Sequence, residues 1–410
     1  MNDKSMGKRT HILLTHRYFA PSPQPYGWML HQIAQHLSAN DIQVSIYSGA
    51  EAKITAETAT LDEQLRQSGI VVHRRAMRWE SRGNPISRIA NATSYVFGLV
   101  ATILHVRPDI VTAATFPPVV PAFFAALTSR LVGAKFVYHV QDIHPEITAP
   151  KIRGLLRPFY SIILGALDRM TLTLADHIIT LSFDMTQVLK SKGARDGKIK
   201  IINNLALVGT DNQPDIKADH AATRKLQAIF AGNLGAYQDI TSLALLTRQL
   251  VGTGRVSVKF AGDGACRNHL RSMLTDLNDV EFLDAMPFAE LVPHLHDADL
   301  GLVSLDDTSW RYAYPSKIAT YLRFGLPIVC LVSSQSELAR TMEERGFGIA
   351  LEPEAVNSAV EQIDALAADR QKLALFSSRA EIEYARSHAN GKILHQWLIL
   401  LDDIDSRATI

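Results

Sequence analysis

The sequence predicts an α/β fold made of two doubly wound, Rossmann-like domains with parallel sheets. Short apolar runs rich in β-branched residues alternate with segments of helical periodicity, as in successive βαβ units. Each apolar run stops at a glycine, a proline or a polar loop, and the next helix follows directly. A chain of 410 residues is long enough to bury two separate cores.

The first domain is predicted to span residues 1–208. A helix is expected over 28–38, where Leu30, Ile33, Ala34 and Leu37 recur at helical spacing. Apolar runs predict six strands, at 11–15, 43–47, 110–114, 135–140, 177–181 and 199–202. This alternation indicates a parallel, doubly wound sheet.

The chain becomes polar and irregular over 206–220, so we place the domain boundary there. The second domain is predicted over 220–385, with strands at 226–230, 256–260, 299–304 and 328–332. The last helix, within 386–410, carries an apolar stripe that includes Trp397. Such a stripe must be covered by another part of the molecule.

Composition excludes several classes of function. The net charge of +1 gives no sign of a nucleic-acid partner. Cys266 and Cys330 are the only cysteines, which argues against a disulfide framework or a zinc site and favours a reducing compartment. The N-terminus has a basic flank but a short apolar run, so it predicts a first strand rather than a signal peptide.

Two stretches raise the question of a membrane. Residues 89–106 lack charged side chains over nearly the length of a span. Residues 151–169 combine arginines with large apolar side chains, which suits a surface resting on an anionic leaflet. An ordinary core helix with a solvated basic face explains the second pattern as well.

The segment 310–332 contains a predicted loop, helix and strand. The helix is expected to begin at Pro315, after Tyr314, and to end near Phe324, because glycine and proline follow. Its first turn brings Ser316 and Lys317 together, which predicts an anion site suited to phosphate. A capped surface helix with a solvated lysine is the competing interpretation.

Two glycine turns follow predicted strands of the second domain. They contain the candidate phosphate-binding residues Gly232, Asn233, Gly235, Gly262, Asp263 and Gly264, and Arg267 follows the second turn. Glycine lets backbone N–H groups come close to a phosphate. A glycine turn is common in any α/β protein, and Asp263 is interpreted as a helix cap rather than a catalyst.

Polar residues gather in the segment HVQDIHPE of the first domain. His139, Asp142, His144 and Glu146 follow a predicted strand, at the sheet edge where this architecture binds ligands. Asp142 or His139 could serve as a general base or stabilise charge. A metal site and simple hydrogen bonding within the loop remain open as alternatives.

The segment 16–27 is predicted to be a loop because it is rich in proline. It lies after the first strand, where Tyr18, Tyr26 and Gly27 could contact a substrate. The sequence does not decide whether they do.

Together these segments resemble the GT-B glycosyltransferases, in particular the retaining family 4 group that builds bacterial exopolysaccharide, capsule and O-antigen. The resemblance rests on the proline-rich loop, HVQDIHPE, AGNLGAYQDI, FAGDGACR and YPSKIATYLRFGLPIV. It implies two Rossmann-like domains facing across a cleft, with the donor on the second domain and the acceptor on the first. It also implies that the last helix returns to the first domain.

The resemblance implies a hexosyl- or glycosyltransferase that uses a nucleotide-sugar donor, expected to be a UDP-sugar, and a lipid-linked or glycan acceptor. Lys317, Asp142 and His139 are the expected catalytic residues. No cofactor or metal is expected. The protein is expected in the cytoplasm, with possible contact with the inner leaflet of the membrane.

The sequence departs from the family pattern at several positions. Tyr312 and Thr320 stand near the positions where many relatives carry glutamates, and Asn233 and Gln238 stand where basic residues are usual. A non-catalytic nucleotide-sugar-binding homologue is therefore an alternative, and a nucleotide-sugar epimerase of the same fold is another. A metal-dependent hydrolase built on HVQDIHPE is the third.

Overall fold

A computed structural model describes residues 9–22, 24–50, 55–77, 85–152, 154, 156–207, 224–235 and 237–406. The described chain forms two compact units, one made of residues 1–202 and 394–410 and the other of residues 203–393. The predicted boundary segment is 206–220, and its residues 208–220 lie outside the described residues.

Unit 1 is built on a seven-stranded sheet in which every neighbouring pair is parallel. The strand order is β3-β2-β1-β4-β5-β6-β7. The strands are β1 His11–His16, β2 Gln43–Ala50, β3 Ile70–Ala76, β4 Ile110–Ala114, β5 Lys135–His139, β6 His177–Thr180 and β7 Ile199–Ile201. Strands β4 and β6 are buried along their whole length, as a sheet covered on both faces requires.

Helices connect these strands in the βαβ manner. They are α1 Pro25–Ala39, α2 Ala56–Gln67, α3 Pro85–Val106, α4 Val120–Val132, α5 Leu156–Leu174 and α6 Phe183–Ser191. Gly133, at φ +78°, ends α4 in the left-handed conformation that favours glycine. Helix α3 packs against α4, and α4 packs against α5.

Unit 2 has a six-stranded parallel sheet in the order β10-β9-β8-β11-β12-β13. The strands are β8 Leu226–Ala231, β9 Val256–Ala261, β10 Val280–Leu283, β11 Leu300–Ser304, β12 Ile328–Leu331 and β13 Gly348–Leu351. This order repeats the first six strands of unit 1, which is the doubly wound arrangement.

Unit 2 buries one apolar cluster on each face of its sheet. The covering helices are α7 Ile240–Gly252, α8 Arg267–Met273, α9 Phe288–Asp297, α10 Lys317–Arg323, α11 Glu337–Arg345, α12 Val356–Ala368 and α13 Arg370–Glu383. One turn of π-helix, Tyr384–His388, leads to the last helix, α14 Asn390–Ser406.

The apolar stripe of α14 is covered within unit 1. Residues from Leu394 onward belong to that unit. Trp397 is only 1% exposed, and its ring meets the edge of His139 at a centroid distance of 5.3 Å. The apolar stripe predicted from the sequence is therefore covered at Trp397 by His139, the last residue of β5.

The two-sheet α/β prediction is confirmed, and two helix starts differ from expectation. Helix α1 begins at Pro25, so Tyr26 and Gly27 lie on a helix rather than in a loop; proline is favoured in the first helical turn. Helix α10 begins at Lys317 instead of Pro315, with Ser316 as its N-cap residue.

Among the described residues, Ile89–Val106 is the one helical segment with the length and mean hydropathy of a membrane span. It lies in α3, which packs on β2, β3 and α4 as a layer of unit 1. Its role in the fold is therefore that of a crossover helix between β3 and β4.

Candidate functional site

Each sheet has a point where its strand order reverses, between β1 and β4 in unit 1 and between β8 and β11 in unit 2. Ligands of open α/β sheets bind outside the carboxyl ends of the strands at such points. The predicted residues follow β1 and β5 in unit 1 and β8, β9 and β11 in unit 2.

Lys317 is the central residue at the end of the unit 2 sheet. Its Nζ atom is buried, has no hydrogen-bond partner, and lies 3.3 Å from the centroid of the Phe230 ring. The side chain packs against Gly232. If residue 232 carried a Cβ, that atom would lie 3.7 Å from Nζ. Burial lowers the pKa of Lys317 from its ordinary 10.5 to about 7.

Tyr321 fixes the position of this lysine relative to the first glycine turn. It lies four residues after Lys317, on the same face of α10. Its buried hydroxyl accepts the N–H of Ala231 at 2.7 Å, immediately before Gly232. The ring fits beside Gly301 of β11, where any Cβ would come within 2.4 Å of it.

The two glycine turns pack against each other. Gly262 has φ +140°, and a Cβ there would lie 2.1 Å from the carbonyl oxygen of Gly232. Gly264 has φ +155°, and a Cβ there would come similarly close to the carbonyl oxygen of Leu234. These two glycines thus have a packing role, and any contact with a ligand remains a prediction.

The backbone N–H groups of these turns are partly used within the protein. The N–H of Gly232 donates to the carbonyl of Ala261 at 2.8 Å. That of Gly264 donates to the Asp263 carboxylate at 2.7 Å. Asp263 therefore closes its own turn, whereas the cap residue of α8 is Cys266. The hypothesis that glycine N–H groups meet a phosphate is weakened at Gly232 and Gly264.

Other predicted donor-side residues surround this turn. Asn233 is exposed and Gly235 is buried. The guanidinium of Arg267 forms an ion pair with Asp284 at 2.8 Å. Within the described chain, the buried Oε1 of Gln238 has no hydrogen-bond partner, as with Nζ of Lys317.

The residues before α10 have different roles. Tyr314 stacks on His388 at 6.5 Å between ring centroids, and burial raises the pKa of its hydroxyl. Pro315 is half-buried, and Ser316 is exposed without a side-chain cap bond. Since α10 has only seven residues, we assign the positive charge of the site to Lys317 rather than to the helix end.

Thr320 occupies a buried position on α10, where the family pattern led us to look for a glutamate. Its hydroxyl accepts the N–H of Leu207 at 3.2 Å, at the start of unit 2. A threonine here therefore serves the backbone of the connecting segment.

At the end of the unit 1 sheet, His139 is buried and bonded through both ring nitrogens. Nδ1 lies 2.8 Å from the Tyr26 hydroxyl, and Nε2 lies 2.6 Å from the amide nitrogen of Gln141. Burial, with a smaller effect of His16, lowers the pKa of His139 to about 3. The imidazole is therefore neutral, which argues against a charge-stabilising role.

Hydrogen bonds to the backbone fix the position of Asp142. The hydroxyl of Thr115, just past β4, accepts the N–H groups of Gln141 and Asp142, each at 3.1 Å. The Asp142 side chain is half-buried. With His139 neutral and Glu146 paired with Lys192, Asp142 is the candidate general base of this segment.

Glu146 and His144 belong to a structural network rather than to an open site. Lys192 lies 2.7 Å from the Glu146 carboxylate, 2.8 Å from Asp168 and 2.9 Å from the carbonyl oxygen of His144. The ring of His144 is buried and meets the Thr148 hydroxyl at 3.3 Å. The network anchors the HVQDIHPE segment to α5 and α6.

The aromatic residues after β1 form a packed group. The rings of His16 and Tyr26 are 4.2 Å apart, and Tyr18 stacks on Phe116 at 5.4 Å. Gly27 is buried, and a Cβ there would lie 3.1 Å from the backbone of Phe19. Gly27 is thus explained by helix packing, whereas Tyr18 and Tyr26 remain candidates for acceptor contact.

Across the described part of the chain, no three His, Cys, Asp or Glu side chains are grouped closely enough to hold a metal ion. His139 and Glu146, two of the ligands considered for HVQDIHPE, are instead bonded to Tyr26 and Lys192. The metal-dependent hydrolase hypothesis therefore has no support in this segment.

Sequence reasoning missed several residues of both sites. Phe230 lies within a predicted apolar strand and Tyr321 within a predicted helix, and no motif marks either of them. Lys192 and Thr115 also have no motif around them. The spacing of Lys317 and Tyr321, four residues apart, could have placed the tyrosine on the lysine's face. Nothing local to Lys192 signals partners at positions 146 and 168.

Solved structures share this architecture over nearly the whole chain. Anabaena HepE, in complex with UDP and glucose, aligns with a TM-score of 0.64 at 18% identity, covering 95% of this chain and 99% of its own. Sucrose-phosphate synthase from Thermosynechococcus elongatus aligns at 0.73 with 11% identity, covering 97% and 100%. The fold is that of the GT-B glycosyltransferases.

The sequence itself gives the narrower assignment. Residues 26–204 match the model of the family described as Glycosyl transferase 4-like domain. A probable glycosyltransferase of Pseudomonas aeruginosa, WbjE, is 25% identical over 271 residues, which are 62% of this chain and 65% of the relative. Residues 26–204 are therefore similar to the Glycosyl transferase 4-like domain, which agrees with the resemblance drawn from the sequence motifs.

Proposed function

We propose that the protein is a glycosyltransferase that moves a sugar from a nucleotide-diphosphate donor to a lipid-linked or glycan acceptor with retention. The observation that carries this proposal is the buried, unpartnered Nζ of Lys317 beside the exposed Gly232 turn. A buried cation without a partner is costly unless a ligand completes it. A diphosphate supplies the complementary charge.

Lys317 would act on the leaving group. Cleavage of the donor's glycosidic bond leaves negative charge on the departing diphosphate, and a preorganised cation in a water-poor site stabilises this charge. Removing one such group costs about 2.7–4 kcal/mol in the barrier. Lys317 rests on the face of Phe230, which holds the ammonium in place before the donor arrives.

On the other unit, Asp142 would accept the proton of the acceptor hydroxyl. Thr115 fixes the backbone of this residue, and the neutral His139 supports the segment through Tyr26 and Gln141. His139 is thus proposed as a positioning residue. We propose further that the reaction requires no metal, so EDTA is expected to leave turnover unchanged.

The HepE complex supports a UDP-sugar donor, and we propose a role in surface polysaccharide biosynthesis. HepE was solved with UDP and glucose, and WbjE is described as a probable glycosyltransferase. We propose that the protein works in the cytoplasm, against the inner leaflet that carries lipid-linked acceptors.

A thermal-shift panel of nucleoside diphosphates and their sugars tests the donor site. A ligand at 100 times its dissociation constant stabilises the native state by about 2.7 kcal/mol. We expect UDP or a UDP-sugar to raise the midpoint and Lys317→Met to abolish the rise. Lys372→Met, an exposed lysine on α13, is the matched control and should keep it. No shift with any nucleotide would overturn the proposal.

Asp142→Asn tests the acceptor side. The variant should keep the nucleotide-induced shift and lose transfer, because the amide accepts no proton. Loss of nucleotide binding in this variant would remove Asp142 from the acceptor site. Analysis of the products without acceptor separates transfer from epimerisation of the donor.

A further inference from the structure

Three neighbouring helices of unit 1 expose large apolar side chains along one surface. Helix α3 contacts α4, and α4 contacts α5, on the same sheet. We call the outward side of these helices the α3–α4–α5 face. We propose that this face docks on an anionic lipid bilayer, so that the acceptor-side unit works against the membrane; the proposal deepens the proposed function.

Helix α4 shows the pattern most simply, because it lies between the other two. Its exposed apolar residues are Phe124, Leu127 and Leu131, spaced along one stripe, and Leu131 is 75% exposed. The opposite side, including Ala122, Ala125 and Ser129, is buried. The helix is therefore apolar on both its core side and its solvent side.

Helix α3 continues this stripe. Ile89, Phe97 and Leu104 are exposed, with Phe97 at 70%, whereas Tyr95 and Leu99 are buried toward the fold. Only 28% of the segment Ile89–Val106 is buried, although its composition is that of a core helix or a span. A helix of this composition that stays mostly uncovered is typical of a surface that contacts a protein or a membrane.

Helix α5 completes the face on the other side. Phe159, Ile162, Ile163 and Met170 are exposed, with Ile162 at 70%, along positions that repeat every three or four residues. Leu172 points into the core. The three helices therefore present one apolar surface rather than scattered single side chains.

The charges on these helices favour a bilayer over other occupants. Helices α3 and α4 contain no acidic residue, and the one carboxylate of α5, Asp168, is buried. Arg130, Arg157 and Arg169 are exposed among the apolar side chains. Apolar groups with interspersed arginines and no exposed carboxylate complement the interface of an anionic leaflet.

A second copy of the chain fits this face less well. In a symmetric dimer the same patch meets itself, so the arginines of both copies would approach each other without a carboxylate between them. A bilayer supplies phosphate charge and an apolar layer together. We therefore commit to the lipid surface.

Flotation of the full-length protein with vesicles tests the proposal. The protein should float with mixed phosphatidylcholine and phosphatidylglycerol vesicles, and more weakly with phosphatidylcholine alone. The triple variant Phe97→Glu, Leu131→Glu, Ile162→Glu should reduce binding by more than about tenfold. The matched control Leu245→Glu, Leu375→Glu, Ile382→Glu, which changes exposed residues of unit 2 in the same way, should bind like the parent.

A second variant separates charge from apolar contact. Arg130→Gln, Arg157→Gln, Arg169→Gln should weaken binding to the anionic vesicles and leave binding to phosphatidylcholine unchanged. Equal thermal midpoints of all variants establish that they fold, and an unchanged UDP-induced shift establishes that the donor site is intact.

Three results would overturn the proposal. They are a parent that stays unbound, a triple variant that binds like the parent, or a dimer in light scattering that the triple variant dissociates. If the parent binds vesicles but no nucleotide, the membrane surface stands and the proposed transfer reaction fails.

Discussion

The two units of this protein differ in how a lysine with a buried ammonium group is satisfied. Lys192 in unit 1 is satisfied, with Glu146 at 2.7 Å, Asp168 at 2.8 Å and a carbonyl oxygen at 2.9 Å. Lys317 in unit 2 has no hydrogen-bond partner and lies over the ring of Phe230. The two sheets share a strand order, so topology does not explain the difference.

The difference indicates that Lys192 stabilises the fold and that Lys317 is available to a ligand. A lysine surrounded by carboxylates contributes to structure and cannot neutralise a substrate. A lysine whose ammonium is buried alone lowers stability, and such a group persists where a bound anion compensates. This contrast supports the proposed anion site in unit 2 and a structural role for the Lys192 network in unit 1.

The largest effect is expected from Lys192→Met. The substitution leaves the Asp168 carboxylate, whose side chain is 3% exposed, without its cation. Breaking a buried pair from one side costs about 3–5 kcal/mol. Denaturant unfolding measures this loss. Lys190→Met, which removes an ion pair to the 80% exposed Asp196, should cost no more than about 1 kcal/mol.

Unlike Lys192→Met, Lys317→Met should lower activity and leave stability unreduced. Turnover should fall by about 10²–10³-fold, since one charge-stabilising group is lost. The free energy of unfolding should stay level or rise, because a buried ammonium without a partner is removed. Steady-state kinetics and denaturant unfolding measure the two quantities. A loss of stability as large as that of Lys192→Met would mean that Lys317 is also structural.

Tyr321→Phe should weaken the connection between α10 and the glycine turn. It leaves the buried N–H of Ala231 without an acceptor, which costs about 1–3 kcal/mol of stability. Donor affinity should fall as well, because Lys317 and Gly232 lose their common anchor. Tyr47→Phe in unit 1 removes a buried bond to the Tyr95 carbonyl and serves as control. That control should lose stability and keep donor affinity, as binding and unfolding measurements will show.

The smallest effect is a pH dependence confined to unit 2. The pKa of Lys317 is about 7 in the free protein, so above that pH the lysine must take up a proton when a nucleotide-sugar that needs the ammonium binds. Donor affinity should fall by up to about tenfold per pH unit above pH 7. Calorimetry across pH 6–9 in buffers of different ionisation enthalpy measures the affinity and the proton uptake.

Lys317→Arg should remove this pH dependence, because arginine stays charged. The sign for stability is opposite. The unfolded lysine binds more protons than the folded one between pH 7 and 10.5, so this group's penalty is complete below pH 7 and disappears as the pH rises through that window. His16 and His139, with pKa values lowered by burial to about 4 and 3, contribute no change there.

Sequence patterns predicted most of the fold because strand and helix formation depends on neighbouring residues. The apolar runs at 110–114 and 177–181 gave strands whose residues are buried. Helix α10 started two residues late. A proline allows a helix to start but does not force it, and Pro315 and Ser316 instead lead into the first turn.

The candidate site was predicted less completely. Lys317 and the segment around His139 were found by motif, because the motif lies within one loop or turn. The partners that determine their protonation and position are far apart in sequence: Tyr26 is 113 residues from His139, and Lys192 is 46 residues from Glu146. The local pattern therefore predicts Glu146 and His144 as acceptor-side residues, whereas the structure places them in the network around Lys192.

The sequence by itself determined the two parallel sheets, the glycine turns at their ends, and the presence of a lysine at the start of α10. These features follow from periodicity and backbone conformation, which neighbouring residues control. Only the tertiary structure decided that Lys317 is unpartnered and Lys192 is satisfied, because burial and charge pairing depend on which distant side chains share the same space. The same reason explains why the apolar face of α3, α4 and α5 became visible only when the three helices lay side by side.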